Sequence, residues 1–160
     1  MEFTHIDEDG KSRMVDISNK KITERMARAK GKIFAKKATI EAIEEGRMHK
    51  GNVIETGRIA GYMAAKRTDE FIPMCHTLPI EFIDITVNTN RDRKEIEIIS
   101  TIKVNGKTGA EMEALVAVAT TALTIYDMCK AVDKDMVISD IKLIEKKGGK
   151  SGHFIRNDET

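Results

Sequence analysis

The chain contains no tryptophan, and two tyrosines and five phenylalanines bring its aromatic content to only 4%. A binder that stacks single-stranded nucleic acid on aromatic platforms needs more of them. A charge excess is also missing. Against 27 Lys and Arg stand 26 Asp and Glu, leaving +1, whereas a protein that coats nucleic acid shows a clear basic surplus. Cysteine is scarce: Cys75 and Cys129 are too few for a disulfide framework or a four-thiolate zinc site. They read as reduced thiols of a cytoplasmic protein. The histidines, His5, His49, His76 and His153, have no paired ligand spacing, so no metal is expected. No run of about 18 apolar residues suggests a membrane span. The acidic start, Met1 to Asp9, lacks the apolar stretch of a signal peptide. The expectation is a soluble intracellular domain with neither nucleic acid nor membrane as partner.

What is present is ordinary globular composition, 33% charged and 41% hydrophobic over 160 residues. That length suits one domain spanning 1–160, burying about 70% of its unfolded surface. The ends, 1–13 and 152–160, are polar and expected to be mobile. Met14 to Ser18 alternates and reads as a short strand, and Thr23 to Phe34 as a strand with a basic face, with a helix as the alternative. Thr39 to Glu45 predicts a helix stopped by Gly46, and Asn52 to Lys66 a second helix. Ile80 to Asn88 and Glu95 to Val104 predict a hairpin. Ala110 to Val132 is the longest predicted helix, with Met112, Leu115, Val116, Ala119, Leu123 and Tyr126 as its apolar stripe. Met136 to Ile144 closes the chain as a strand before Gly148-Gly149. The order strand–helix–hairpin–helix–strand predicts an α+β, ferredoxin-like sandwich, an antiparallel sheet with helices on one face.

Short motifs carry little. Gly149-Lys150-Ser151 looks like the end of a phosphate-binding loop, but Ile144 stands where that loop needs glycine. Lys107-Thr108-Gly109 with Ser18 to Lys21 is too short a pattern to support penicillin-binding chemistry. Cys75 and His76 are adjacent, so in an extended segment between Pro73 and Pro79 they point apart and make a poor nucleophile–base pair. Alone, they read as a small buried thiol and a hydrogen-bonded core histidine. Lys50-Gly51-Asn52, at a helix start, suits either a phosphate or plain solvent. Lys66-Arg67-Thr68 closes that helix, where cations are stabilising anyway. Lys142, Lys146, Lys147 and Lys150 form a basic tail. Asp127 and Lys130 are helical neighbours, either a surface ion pair or groups that tune each other for proton transfer. Together these signals suggest an anion site with acid–base groups and name no substrate.

Longer strings say more. Met14-Val15-Asp16-Ile17-Ser18, Arg58-Ile59-Ala60-Gly61, Ala64-Ala65-Lys66-Arg67-Thr68 and Ile72-Pro73-Met74-Cys75-His76 occur in that order. They are followed by Gly106-Lys107-Thr108-Gly109-Ala110-Glu111-Met112-Glu113-Ala114-Leu115. The series continues with Ala122-Leu123-Thr124-Ile125-Tyr126-Asp127-Met128-Cys129-Lys130-Ala131-Val132, then Lys134-Asp135-Met136-Val137-Ile138 and Gly148-Gly149-Lys150-Ser151-Gly152. From about Thr4 to Gly152 the chain resembles the cyclic pyranopterin monophosphate synthase family of molybdenum cofactor biosynthesis. Met74, where Leu is common, and Thr77, where Pro is common, are departures.

The resemblance implies a ferredoxin-like fold and a hexamer built as a trimer of dimers, with active sites at dimer interfaces. It implies conversion of a cyclic 7,8-dihydroguanosine triphosphate to cyclic pyranopterin monophosphate and pyrophosphate, with no redox change and no cofactor. It assigns Asp127 as catalytic together with Lys50 and Lys130. Met74, Cys75, His76, Met112 and Glu113 become substrate-binding, and Arg25, Lys66 and Lys146 suit the triphosphate. The competing reading is a non-catalytic nucleotide-binding regulatory module on the same fold. Glu113 and Asp127 lie fourteen residues apart on one predicted helix, roughly 21 Å along its axis and close to one face. Either a second chain packed antiparallel brings the two to one small substrate, with Ala114, Ala117 and Ala131 allowing close approach, or only one of the pair contacts it.

Overall fold

Period-two alternation builds the sheet. In β1 (Thr23–Phe34), Ala27, Ala29, Gly31 and Ile33 are buried, while Arg28, Lys30 and Lys32 face the other way, giving the strand its basic face. In β3 (Glu95–Gly106) the inward set is Ile96, Ile98, Ser100, Ile102 and Val104. The two pair antiparallel from Thr23 opposite Gly106 to Phe34 opposite Glu95. The computed structural model describes residues 9–150 and 152–157. Its remaining elements are α1 (Lys37–Glu44), α2 (Val53–Ala65), α3 (Thr68–Phe71), β2 (Ile80–Asn90), α4 (Glu111–Cys129), β4 (Val137–Lys147) and β5 (Phe154–Ile155). All strand pairs are antiparallel, in the order β2-β3-β1-β4-β5. The first four follow the ferredoxin-like split βαβ order. α4 packs across β1, β3 and β4, and α2 packs on α4 and β2, so these two helices cover one face of the sheet.

α4 buries a different stripe from the predicted one. Its buried positions are Glu113, Ala114, Val116, Ala117, Val118, Thr121, Ala122, Ile125, Met128 and Cys129. Only Val116 is shared with the predicted set, and Leu123 stands 59% exposed. Close helix approach is the cause. A Cβ on Gly61 of α2 would lie 2.9 Å from the Ala117 carbonyl oxygen and on top of the Thr121 hydroxyl. Small residues therefore occupy the part of the inner face that meets α2, Ala117 and Thr121 among them, and Leu123 is left outside. Ala114 and Ala117, expected to let a second chain approach, are fully buried within their own chain, while Ala131 is exposed. By length and composition alone α4 would pass for a membrane span, yet over half of it is buried here, as in a core helix.

Other boundaries have local causes. The Asn52 side chain caps α2 by accepting the Glu55 N–H at 3.0 Å. Gly46, at φ +66°, ends α1. β2 runs on to Asn90, whose side chain takes the N–H groups of Asp92 and Arg93 and so starts the turn. β4 continues to Lys147, three residues beyond the expected end. Met14 to Ser18 forms no strand. The Asp16 carboxylate accepts the Ser18 N–H at 2.8 Å and turns the chain away, although Val15 and Ile17 still point inward. In the tail expected to be mobile, Phe154–Ile155 pairs with Glu145–Lys146. The parts of that expectation falling on 1–8 and 158–160 lie outside the described residues, as does 151.

Candidate active site

Prolines shape the first half of the site. Pro73 and Pro79 keep the segment between α3 and β2 out of both helix and ladder. The Cys75 N–H closes a turn on the Ile72 carbonyl at 3.0 Å, and the Thr77 hydroxyl bonds the Asp69 carboxylate of α3. The segment faces the loop and first turn that open α4. Between them lies a cavity of about 490 Å³, lined by Met74, Cys75, His76, Met112 and Glu113, with Val15 and Ile17 along one side. All five residues that the resemblance assigns to substrate binding meet here.

Glu113 is the unusual group, a carboxyl only 4% exposed. Burial pushes its pKa up to about 7, aided by the nearby carboxylates of Glu111 and Asp69. Burial, then Glu113 and Asp69, likewise push the Cys75 thiol up, the wrong direction for a thiolate nucleophile. Because the folded-state pKa of Glu113 exceeds its ordinary value of 4.5, its contribution to stability is full below that value. It is lost as pH rises through about 7. Replacing Glu113 with Gln should therefore stabilise the protein relative to wild type increasingly between about pH 5 and about pH 8, by up to about 3 kcal/mol. Urea unfolding of both proteins across that range checks this, and a pH-independent difference would contradict it.

The second half is cationic. A cavity of about 700 Å³ shares Lys20, Thr108, Gly109 and Glu111 with the first, and adds Lys21, Arg25, Lys107, Lys146 and Lys150. Arg25 donates from Nε to the Gly106 carbonyl at 2.9 Å and from Nη2 to the Lys107 carbonyl at 3.1 Å, which fixes the guanidinium plane. Gly149, at φ +77°, passes so close that a Cβ would sit 3.0 Å from Arg25 Cζ. Lys146 Nζ holds Glu111 Oε1 at 2.8 Å. Lys66, expected among these cations, is instead exposed at the end of α2 and lines neither cavity. Lys20, Lys21, Lys107 and Lys150 were not singled out as ligands by the sequence reading. Their signal is topological. The start of β1, the end of β3 and the end of β4 meet at one end of an antiparallel sheet, and the chain just outside each carries lysine: Lys20 and Lys21, Lys107 and Lys150.

A third group lies at the far end of α4. Lys50, in the loop between α1 and α2, places Nζ 3.0 Å from Asp127 Oδ2 and 3.0 Å from the Asp127 carbonyl oxygen. Lys130 Nζ lies 2.6 Å from Asp127 Oδ1. Hydrogen bonds from Lys130, then Lys50, hold the Asp127 carboxyl below the usual carboxylate range, and Asp127 in turn raises Lys130. Lys50 is thus engaged by a carboxylate rather than left to solvent. The three meet one another but not Glu113. Fourteen residues fall about 40° short of four turns, enough to turn Glu113 inward and leave Asp127 at the surface, its side chain 56% exposed. Among the described residues no His, Cys, Asp and Glu group is arranged to hold a metal.

Comparison with known proteins matches residues 14–149 to the MoaC family. A cyclic pyranopterin monophosphate synthase of Desulfitobacterium hafniense is 55% identical over 158 residues, covering 99% of this chain and 96% of that protein. Proteins of the same name from Clostridium acetobutylicum and Heliobacterium modesticaldum are 54% and 51% identical. These alignments cover 96% and 98% of this chain, and 96% and 98% of the respective relatives. Those matches run through the whole sheet and both arms of the cleft, and on that basis the chain belongs to the MoaC family.

Proposed function

We propose that this protein converts cyclic dihydro-GTP to cyclic pyranopterin monophosphate with release of pyrophosphate, a step of molybdenum cofactor biosynthesis. The observation that carries the reading is the two-part cleft. A cavity lined by a buried carboxyl of raised pKa, Glu113, opens into one bearing six cations, Lys20, Lys21, Arg25, Lys107, Lys146 and Lys150. A nucleotide-derived triphosphate has the same two parts. In the reaction the purine-derived ring opens and recloses, which moves protons at nitrogen and oxygen. A substrate hydroxyl attacks the innermost phosphorus, the bond from that phosphorus to its bridging oxygen breaks, and pyrophosphate leaves with the electron pair. Fixed cations favour the charge that builds on the leaving group. Asp127 with Lys50 and Lys130 supplies the groups that hold and move protons. No step oxidises or reduces the substrate.

We further propose a homo-oligomer, a hexamer of three dimers, acting in the cytoplasm as a single-domain protein. Ile59, Met63 and Leu123 are 56%, 52% and 59% exposed on α2 and α4, an apolar surface suited to a second copy. Leu123 and Asp127 are i,i+4 neighbours, so a chain covering the first passes the second. That arrangement supplies a partner's cleft to each Asp127 cluster. The test is incubation of the purified protein, without redox cofactor, with cyclic dihydro-GTP. Pyrophosphate and cyclic pyranopterin monophosphate should appear together. Binding without pyrophosphate release, where the Desulfitobacterium protein turns over, would favour the non-catalytic module instead.

A further inference from the structure

Asp133, four residues beyond α4, is 1% exposed. Its Oδ2 accepts the Lys36 N–H at 2.8 Å and the Thr39 hydroxyl at 3.0 Å, both in the opening turn of α1. Lys36 is the N-cap of α1 and offers no capping side chain of its own, so the helix is capped from across the fold. Asp133 Oδ1 has no hydrogen-bond partner. Lys36 Nζ forms an ion pair with it at 3.4 Å while also bonding Asp135 Oδ2 at 2.8 Å. A carboxylate buried this deeply is a costly way to fill space, which points to a role in placement. The middle of α1 is held by Ile40 and Ile43 in the core, and its first turn by Asp133. Through its exit loop α1 leads to Lys50, which must meet Asp127 at the end of α4. The Asp133 N–H is itself anchored on the Cys129 carbonyl, the last residue of α4, at 3.1 Å.

We infer that Asp133 is a positioning residue: by pinning the first turn of α1 to the exit of α4, it sets the loop that carries Lys50 onto Asp127. The inference rests on the proposed role of the Lys50–Asp127–Lys130 cluster. The charged groups facing Asp127 are Lys130 from its own helix end and Lys50 from the loop between α1 and α2.

The test titrates the Asp127 carboxyl by carbon-13 NMR in the full chain without substrate, alongside turnover. In Asp133→Ala the Asp127 midpoint should rise to that of Lys50→Ala, and kcat should fall by about 10²-fold, the scale of a small misplacement of a reacting group. Adding Lys50→Ala to Asp133→Ala should then cost little more, because both act through one contact. Asp133→Asn keeps an acceptor oxygen for Lys36 and Thr39 and should retain both the midpoint and the rate. An Asp127 midpoint in Asp133→Ala equal to that of wild type overturns the inference. Where Asp133→Ala fails to fold, Thr39→Val, which removes one of the two bonds, decides in the same way. The titration needs no turnover, so failure of the proposed reaction in wild type is read separately.

Discussion

Asp127→Ala and Lys130→Ala should each lower turnover by about 10²–10⁴-fold, the usual worth of a positioned acid–base group, and leave the protein folded. Both halves of that expectation follow from exposure. The Asp127 and Lys130 side chains are 56% and 53% exposed, and ion pairs so open to solvent add little to folding. α4 is held by its other face, through Ala114, Ala117, Val118, Thr121, Ala122 and Ile125, which neither substitution touches. A carboxylate clamped by two ammonium groups therefore has little structural reason to sit where it does. Lys50→Ala should behave similarly, since Lys50 contacts both the carboxylate and the carbonyl of Asp127. Pyrophosphate release, read with circular dichroism and a thermal melt, checks both halves. Near-normal turnover in both variants would make the cluster structural.

Much of this fold is legible in the sequence because its signals are local. The alternation of Thr23 to Phe34, the Asn52 cap and the Gly46 stop each declare an element within a few residues. Non-local packing is not declared in that way. The inner face of α4 is chosen by the nearness of Gly57 and Gly61 on α2, so Ala114, Ala117, Thr121 and Ile125 face inward while Leu123 points outward. At Asp16 a side chain hydrogen bond overrides an alternating pattern. The site divides along the same line. Met74, Cys75, His76, Met112 and Glu113 belong to strings that mark the family resemblance, and the fold gathers them around one cavity. The lysines at 20, 21, 107 and 150 become neighbours only through strand order. Lys66 looks similar in sequence, but the end of α2 carries it elsewhere. The burial that moves Glu113 to a pKa of about 7 is likewise a property of the fold, not of the residues beside it in sequence.

In the proposed dimer, two half-sites at opposite ends of α4 become one site across two chains. Along the axis Glu113 and Asp127 are about 21 Å apart, at about 1.5 Å rise per residue. Glu113 looks into its own chain's cleft, and Asp127 stands on the surface beside Leu123. The proposed two-fold dimer covering that surface would present the Glu113 cleft of each protomer to the Asp127 cluster of its partner, twice. Glu113→Ala damages one half-site and Asp127→Ala the other, so each homo-oligomer has only defective sites and should be inactive. The decisive measurement mixes these two inactive proteins, allows subunits to exchange, and follows pyrophosphate release while mass spectrometry reports the mixed species. Activity should return, because one of the two sites in each mixed dimer then joins an intact cleft to an intact Asp127 cluster. Confirmed exchange with no returning activity would contradict the shared site.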